Sequence, residues 1–147
     1  MTIERLKNKL IGFQTEIIEL NQTLQSERKR SQEQQERLFL ELFAVLDACE
    51  NIFNSMTEKE ETLDKSSRHM LKSFRAVYRK LLRLLEEQGV EKIEFPNGKS
   101  VIGLCKVLET RPVAEREEGE IIAVVRSGYR SKEHVLRPAE VITVRSR

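Results

Sequence analysis

The 147-residue sequence contains no tryptophan, and aromatic residues make up only 5% of it. It has two histidines and two cysteines, and Cys49 and Cys105 lie far apart without a CxxC motif. This spacing favours structural thiols in a reducing compartment over a redox or metal site. Neither His69 nor His134 has neighbours at metal-ligand spacing, so no metal centre is expected.

Long hydrophobic runs are also missing. No stretch approaches the roughly 20 apolar residues that cross a bilayer, and the first residues lack the apolar segment of a signal peptide. The 26 lysines and arginines nearly balance the 24 aspartates and glutamates. The basic cluster Arg28-Lys29-Arg30 has acidic neighbours and no aromatic platform, which argues against nucleic-acid binding. The sequence therefore predicts a soluble cytoplasmic protein that binds neither membranes nor nucleic acids.

Residue groups typical of catalysis are absent as well. Asn97-Gly98-Lys99-Ser100 has some similarity to a phosphate-binding loop, but it lacks the upstream glycine and the following helix. The carboxylates lie in charged helical runs, where pairing with lysine or arginine explains them. We therefore expect a protein that is not an enzyme, with no catalytic residues, no cofactor and no small-molecule substrate.

The first part of the chain contains an apolar heptad seam. Hydrophobic residues recur at alternating steps of three and four from Ile3 to Leu24, which is typical of a coiled coil. A stripe this narrow needs a partner helix, and we interpret it as the interface of a parallel homodimer. The predicted dimerisation contacts in this segment are Leu6, Leu10, Phe13, Ile17, Leu20 and Leu24.

Every residue from 25 to 37 is polar, so the seam is interrupted there. The segment has no glycine or proline and is rich in residues that favour helix, which predicts a continuous helix with loose pairing. Two interpretations stay open: a solvated spacer, or a contact surface or temperature-sensitive segment that melts first.

Hydrophobic periodicity returns from Leu38 to Phe53 and again from Met70 to Leu85. Two short amphipathic helices per chain cannot form a four-helix bundle alone, but two chains can. The sequence therefore predicts a bundle built by a dimer. Its predicted contacts between chains are Leu42, Leu46, Phe74 and Leu81.

The connection between these two helices is predicted from its polar residues. We expect the first helix to break at residues 54–57, and Thr57 with Glu60 has the spacing of a capping box. A polar linker is expected to extend to about Ser67. Gly89 is a suitable C-terminal cap for the second helix.

Beyond Gly89 the apolar residues alternate, which predicts four to six short β-strands. Residues 101–108 and 120–126 are strand candidates. Gly128-Tyr129, a short polar turn and residues 135–144 predict a β-hairpin. Because Pro138 cannot donate a hydrogen bond, its strand is expected to lie at an edge or to contain a bulge.

This C-terminal run resembles the signature of the GrpE family, the nucleotide exchange factors of DnaK-type heat-shock chaperones. The family ends with a Gly-Tyr pair, a short turn, Leu-Arg-Pro-Ala and alternating valines. A second match, Gly89-Val90-Glu91-Lys92-Ile93, resembles the family's junction between helices and β-domain. The residues that match the C-terminal signature are Gly128, Tyr129, Leu136, Arg137, Pro138, Ala139, Val141 and Val144.

The sequence departs from the family pattern at two places in the β-region. Lys132-Glu133 stands where the family has an Asn-Gly turn, so the last hairpin is expected to close differently or under strain. Ile102-Gly103-Leu104 replaces a His-Glu-Ala motif, next to a strand that is expected on the docking face. These changes are local, so they affect the predicted partner contacts more than the predicted fold.

The resemblance implies an α+β fold with a long N-terminal coiled-coil helix, a dimeric four-helix bundle and a small C-terminal all-β domain. The corresponding domains are residues 1–53, 54–88 and 89–147. It also implies a homodimeric co-chaperone whose β-domain opens the ATPase lobe of a DnaK-type chaperone and accelerates ADP release. The alternative is a dimeric coiled-coil scaffold whose β-domain binds a different protein.

The predicted docking residues all belong to the β-domain. Val107 follows the altered motif, and the arginines could pair with acidic residues of a chaperone. For Tyr129 and Arg137 a purely structural role in the hairpin is an alternative. The full predicted docking set is Val107, Glu109, Arg126, Tyr129, Arg130 and Arg137.

Overall fold

The computed structural model describes residues 2–132 and 134–146. They form an α+β structure in which helices precede a small β-domain, as predicted. The chain divides into two compact units, Met1–Phe39 and Leu40–Arg147. The helices are α1 (Thr2–Thr57), a single-turn 3-10 helix (Glu60–Thr62) and α2 (Lys65–Glu87). The strands are β1 (Val90–Lys92), β2 (Cys105–Arg111), β3 (Ile121–Arg126), β4 (Tyr129–Ser131), β5 (Val135–Arg137) and β6 (Ala139–Val144).

The first unit consists of the N-terminal part of helix α1, up to Phe39. The helix passes through the polar residues 25–37 without interruption, which confirms the continuous helix predicted from their composition. The apolar seam from Ile3 to Leu24 is exposed in the single chain, with Leu24 at 48% and Ile3 at 72% exposure. Helix formation is therefore consistent with the sequence, while the seam has no partner within this unit.

The ends of the helices differ from the prediction. Helix α1 extends through residues 54–57, because this stretch holds neither glycine nor proline to stop it. Thr57 lies in its last turn and donates from Oγ1 to the Phe53 carbonyl at 2.7 Å, so the predicted capping box is wrong. The cap of α2 is instead Asp64, whose carboxylate accepts from the Ser67 N–H at 2.9 Å.

The strands of the described residues form two three-stranded sheets with the orders β1-β4-β5 and β2-β6-β3. In the second sheet β6 is central, parallel to β2 and antiparallel to β3. The antiparallel pairing of β4 with β5 confirms the predicted hairpin. Strand β2 begins four residues later than predicted, because the Leu104 N–H donates to the Val101 carbonyl at 3.1 Å in a turn with Gly103 at φ +88°.

The chain passes between the two sheets after β1, after β3 and after β5, and the last two crossings pack against each other. Pro138 lies between β5 and β6, and Gly128 lies between β3 and β4. A Cβ atom at Gly128 would lie 2.9 Å from both the Arg137 carbonyl oxygen and the Ala139 Cα, so only glycine fits there. Strand β5 is an edge strand, as predicted from Pro138, whereas β6 is central.

The β4–β5 hairpin closes without the Asn-Gly turn of the family. Of the two residues that replace it, Glu133 lies outside the described residues. The Ser131 N–H donates to the His134 carbonyl at 2.9 Å, and the Ser131 hydroxyl accepts from the His134 N–H at 3.3 Å. A serine side chain therefore supplements the backbone pairing at this turn.

The second unit has its own apolar core, drawn from α1, α2 and the strands. Leu46, one of the predicted dimer contacts, is 1% exposed and is already buried within the single chain. Leu42 and Leu81 are half-buried, and Phe74 is exposed. No helix among the described residues is long and apolar enough to cross a membrane. The largest buried apolar side chains are Phe43, Leu46, Val90, Tyr129 and Val141.

Candidate docking face and helix–β junction

The six residues predicted to dock do not form one surface. Tyr129 and Arg137 are buried, with exposures of 0% and 8%. The other four side chains are accessible and are divided between the two sheets. They are Val107 and Glu109 on β2, Arg126 on β3 and Arg130 on β4.

A bulge in β2 separates Val107 from Glu109. Val107 pairs with Val141 of β6, whereas Glu109 pairs with Ile142, which leaves Leu108 as the extra residue. Since successive residues of β6 point to opposite faces, Val107 and Glu109 do so too. A β-strand without a bulge would have placed both side chains on one face.

Glu109 shares its face of the sheet with Arg126, because Arg126 pairs with Glu140 and Glu109 with Ile142. Arg126 Nη1 lies 3.8 Å from Glu140 Oε1. Glu109 accepts two hydrogen bonds from Arg111, at 2.8 and 3.1 Å, and the hydrogen bond and the positive charge of Arg111 lower the pKa of Glu109. We call this surface the charged face; its residues are Lys106, Glu109, Arg111, Arg126 and Glu140.

The opposite face of the same sheet is apolar. Val107 and Val124 both pair with Val141, and both are about half exposed while Val141 is fully buried. Ile102, at the tip of the turn before β2, is completely exposed. Sequence reasoning assigned Ile102 to a strand, although an Ile-Gly pair is compatible with the two central positions of a type II turn.

Arg137 holds the β-domain against helix α1 through Asp47. Its guanidinium donates from Nη1 and Nη2 to the two Asp47 carboxylate oxygens, at 2.8 and 2.6 Å. Nε and Nη2 also donate to the Ser127 carbonyl, at 3.1 and 2.6 Å. Burial of Asp47 by itself would raise its pKa, but the hydrogen bonds and charges of Arg137 and Arg126 together outweigh this effect, so the pKa lies below the ordinary value of 3.8.

Tyr129 packs beside this ion pair. Its ring stacks on Phe43 of α1, with centroids 4.1 Å apart and planes at 7°, and the Arg137 Cζ lies 5.4 Å from the Tyr129 centroid. Burial, together with the charge of Glu50, raises the pKa of Tyr129. The Tyr129 hydroxyl has no hydrogen-bond partner among the described residues.

Glu50 is a second acidic contact, three residues after Asp47 on the same side of α1. Its Oε1 accepts from the Tyr78 hydroxyl at 2.5 Å, from Lys92 Nζ at 3.1 Å and from the Ser127 hydroxyl at 3.0 Å. Burial and the bond to Glu50 raise the pKa of Tyr78. We call this set the helix–β junction; its residues are Phe43, Asp47, Glu50, Tyr78, Lys92, Ser127, Tyr129 and Arg137.

These contacts agree with the structural role that is the alternative for Tyr129 and Arg137. Both side chains are used inside the chain, so neither presents a surface to a partner. Sequence reasoning missed Asp47 and Glu50, the residues that α1 contributes. The available signal was two carboxylates at i and i+3 beside the apolar stripe of residues 38–53, together with a signature arginine that needs a counter-charge.

A groove of about 560 Å³ lies beside the helix–β junction. Its polar residues include Glu50, Tyr78, Lys92 and Ser127, which bond to one another. Phe53 and Phe95 contribute apolar walls. Among residues 2–132 and 134–146, no group of three or more histidine, cysteine or acidic side chains is arranged to hold a metal ion.

Comparison with known proteins places the chain in a family. A family model described as GrpE matches residues 1–145. Protein GrpE of Clostridioides difficile is 29% identical over 144 residues, which are 88% of this chain and 66% of that protein. Protein GrpE of Helicobacter pylori is 33% identical over 111 residues, 72% of this chain and 52% of that protein. This chain thus spans between half and two thirds of the length of these curated relatives. Because the family model covers both the helical part and the β-domain, the chain belongs to the GrpE family.

Proposed function

We propose that this protein is a nucleotide exchange factor that releases ADP from a DnaK-type heat-shock chaperone. The observation that carries the proposal is the GrpE family match over residues 1–145, which includes the helices and both sheets. The chain would act as a co-chaperone, with binding energy in place of bond chemistry. No catalytic side chain, metal or cofactor is required for this activity.

The mechanism follows from linkage between two binding equilibria. A factor that binds the open, nucleotide-free ATPase lobe more tightly than the ADP-bound lobe must weaken ADP binding by the same ratio. Couplings of this kind correspond to a change of about 5- to 150-fold in affinity. The protein therefore has to contact a surface of the lobe that is formed when the cleft opens.

The charged face of the β2-β6-β3 sheet is the docking surface that we favour. It is accessible and keeps two of the predicted residues, Glu109 and Arg126, on one side of the sheet. Helix α1 also fixes the position of the Arg126 side chain, since Arg126 Nε donates to Asp47 at 3.2 Å. Val107 lies on the other face and Arg130 in the other sheet, so we place both residues outside the centre of the docking surface.

We further propose that the working protein is a homodimer. The exposed seam of α1, from Ile3 to Leu24, supports pairing of the long helices. The exposed Phe74 and the half-buried Leu42 and Leu81 support a bundle between the two chains. In this proposal residues 1–53 pair the two chains and residues 54–88 complete the bundle. Residues 89–147 dock on the chaperone.

Release of a fluorescent ADP analogue from a DnaK-type chaperone tests the exchange function. The protein is titrated into the loaded chaperone and the dissociation rate is followed to saturation. We expect the rate of ADP release to rise with the concentration of the protein and to level off at saturation. Glu109→Lys should raise the half-saturating concentration, while Glu115→Lys, an exposed loop change in the same domain, should not.

An unchanged ADP release rate at saturating protein would contradict the proposal. It would favour the second candidate, a dimeric scaffold whose β-domain binds another protein. The observation on that side is the completely exposed Ile102 in a turn that replaces the family's His-Glu-Ala motif. Failure to bind the chaperone at all would be the most direct support for the scaffold.

A further inference from the structure

Two sheet crossings and one helix meet at a single guanidinium group. Arg137 is the last residue of β5, immediately before Pro138, where the chain passes into the other sheet. Ser127, whose carbonyl accepts two hydrogen bonds from Arg137, precedes Gly128 at the other crossing. The same guanidinium binds both oxygens of Asp47 on α1. One side chain therefore connects both crossings to the helix.

The geometry of this contact restrains orientation as well as distance. A bidentate pair between arginine and a carboxylate fixes two planar groups relative to each other, whereas a lysine would make a point contact. Gly128 packs so closely against Ala139 and the Arg137 carbonyl that the crossings cannot slide past each other. The orientation of both sheets relative to helix α1 should therefore depend on the contact between Arg137 and Asp47.

We propose that Asp47 and Arg137 form a positioning pair that sets the direction in which the β-domain presents its charged face. This inference rests on the proposed exchange function, because it assigns the pair a part in the maximal rate of nucleotide release. Neither residue contacts the chaperone. They act through the β-domain, which has to meet an opened lobe at a defined angle.

The neighbouring contacts make the pair testable without dismantling the domain. Glu50 makes its own hydrogen bonds with Tyr78, Lys92 and Ser127, and none of them involves Asp47. Attachment of the β-domain should therefore survive, while its angular restraint is lost. A structural role alone would lower stability and leave the angle of the folded molecule unchanged.

Distance measurements between spin labels test the angle directly and need no chaperone. Labels are placed on cysteines introduced at the exposed positions Lys72 of α2 and Thr110 of β2, after Cys49→Ala and Cys105→Ala. Labelled chains are diluted with unlabelled ones, so that only distances within a chain are seen. We expect a narrow distribution that Asp47→Asn broadens or shifts. An unchanged distribution in folded Asp47→Asn protein would overturn the proposal.

The matched control is Glu117→Gln, which removes a carboxylate from an exposed ion pair with Lys99 in the same domain. It should leave the distance distribution unchanged. Arg137→Lys serves as the second variant, because it keeps the charge but loses the bidentate contact. It should fall between the parent protein and Arg137→Met. If Arg137→Lys and Arg137→Met broaden the distance distribution equally, the bidentate contact rather than the charge restrains the orientation. If both distributions stay as narrow as that of the parent protein, the proposal is overturned.

The exchange assay adds the functional readout. Asp47→Asn should lower the maximal ADP release rate by about 5-fold, with a smaller change in the half-saturating concentration. A change confined to the half-saturating concentration would overturn the positioning role. If the parent protein accelerates no release at all, the exchange function itself fails. The label distances then decide separately whether the pair orients the domain.

Discussion

At the residue scale, Tyr129 combines a favourable contact with an unfavourable one. Its ring is completely buried and stacks on Phe43. Its hydroxyl, however, has no hydrogen-bond partner among the described residues. A buried polar group without a partner costs about 1–3 kcal/mol. The ring therefore accounts for the stabilisation at this position, and the hydroxyl opposes it.

Tyr129→Phe should consequently leave the free energy of unfolding unchanged or raise it by up to about 1 kcal/mol, because only the unpaired hydroxyl is lost. Tyr129→Ala should lower it by about 3–5 kcal/mol, since a large cavity replaces the ring. Urea denaturation at equal chain concentrations measures both. A loss of more than about 1 kcal/mol in the Phe variant would mean that the hydroxyl has a partner in solution.

The sequence identified Arg137 and Tyr129 but not what they do. Tyr129 belongs to the Gly-Tyr pair and Arg137 to the Leu-Arg-Pro-Ala motif, and both of these sequence motifs are local. Their partners Asp47 and Phe43 lie about 90 residues earlier on α1. No periodicity or turn rule connects positions so far apart. Their burial could therefore be described only once the fold had brought helix and hairpin together.

At the scale of elements, the sequence predicted which segments are helices or strands better than it predicted where each one begins and ends. Period-two and helical patterns placed the helices and the hairpin, because both follow from which face is buried. The end of α1 was missed, since polar residues such as Asn54 and Ser55 do not stop a helix without glycine or proline. The bulge at Leu108 was missed because one extra residue leaves the composition of a strand unchanged.

The apolar seam of helix α1 gives a prediction about pairing of two chains. Ile17 lies at a seam position and is exposed in the single chain, so Ile17→Asp should place a charge inside the paired interface. We expect the sedimentation coefficient at micromolar concentration to fall to that of a monomer. Asn8→Asp, on the outer side of the same heptads, should leave the dimer intact. Equal sedimentation of all three proteins would contradict pairing through this seam.

At the scale of the whole molecule, the β-domain is joined to α1 and α2 by charged and polar groups as much as by apolar contact. Asp47 and Glu50 receive donors from both sheets' crossing regions and from α2. Such contacts depend on the ionised carboxylates. The attachment of the β-domain should therefore respond to acid more steeply than a purely apolar interface.

The sign of this acid response follows from the lowered pKa of Asp47. A carboxyl whose folded-state pKa lies below its unfolded value stabilises the fold above that unfolded value, and the contribution is lost as the pH falls through the folded-state pKa. The stability advantage of the wild type over Asp47→Asn should thus be constant from pH 7 to about 5 and shrink below about pH 4. Urea midpoints measured across this range test it, and two parallel pH curves would contradict it.

The strand order β2-β6-β3 has a consequence for folding during synthesis on the ribosome. Within the described part of the chain, β2 and β3 do not pair with each other, and each pairs only with β6, which is synthesised last of the three. During synthesis both must wait, unpaired, until Val144 has left the exit tunnel. Long-range pairing of this kind is slow and leaves strand edges open to wrong partners. The β2-β6-β3 sheet of this domain therefore cannot begin to form before β6 emerges.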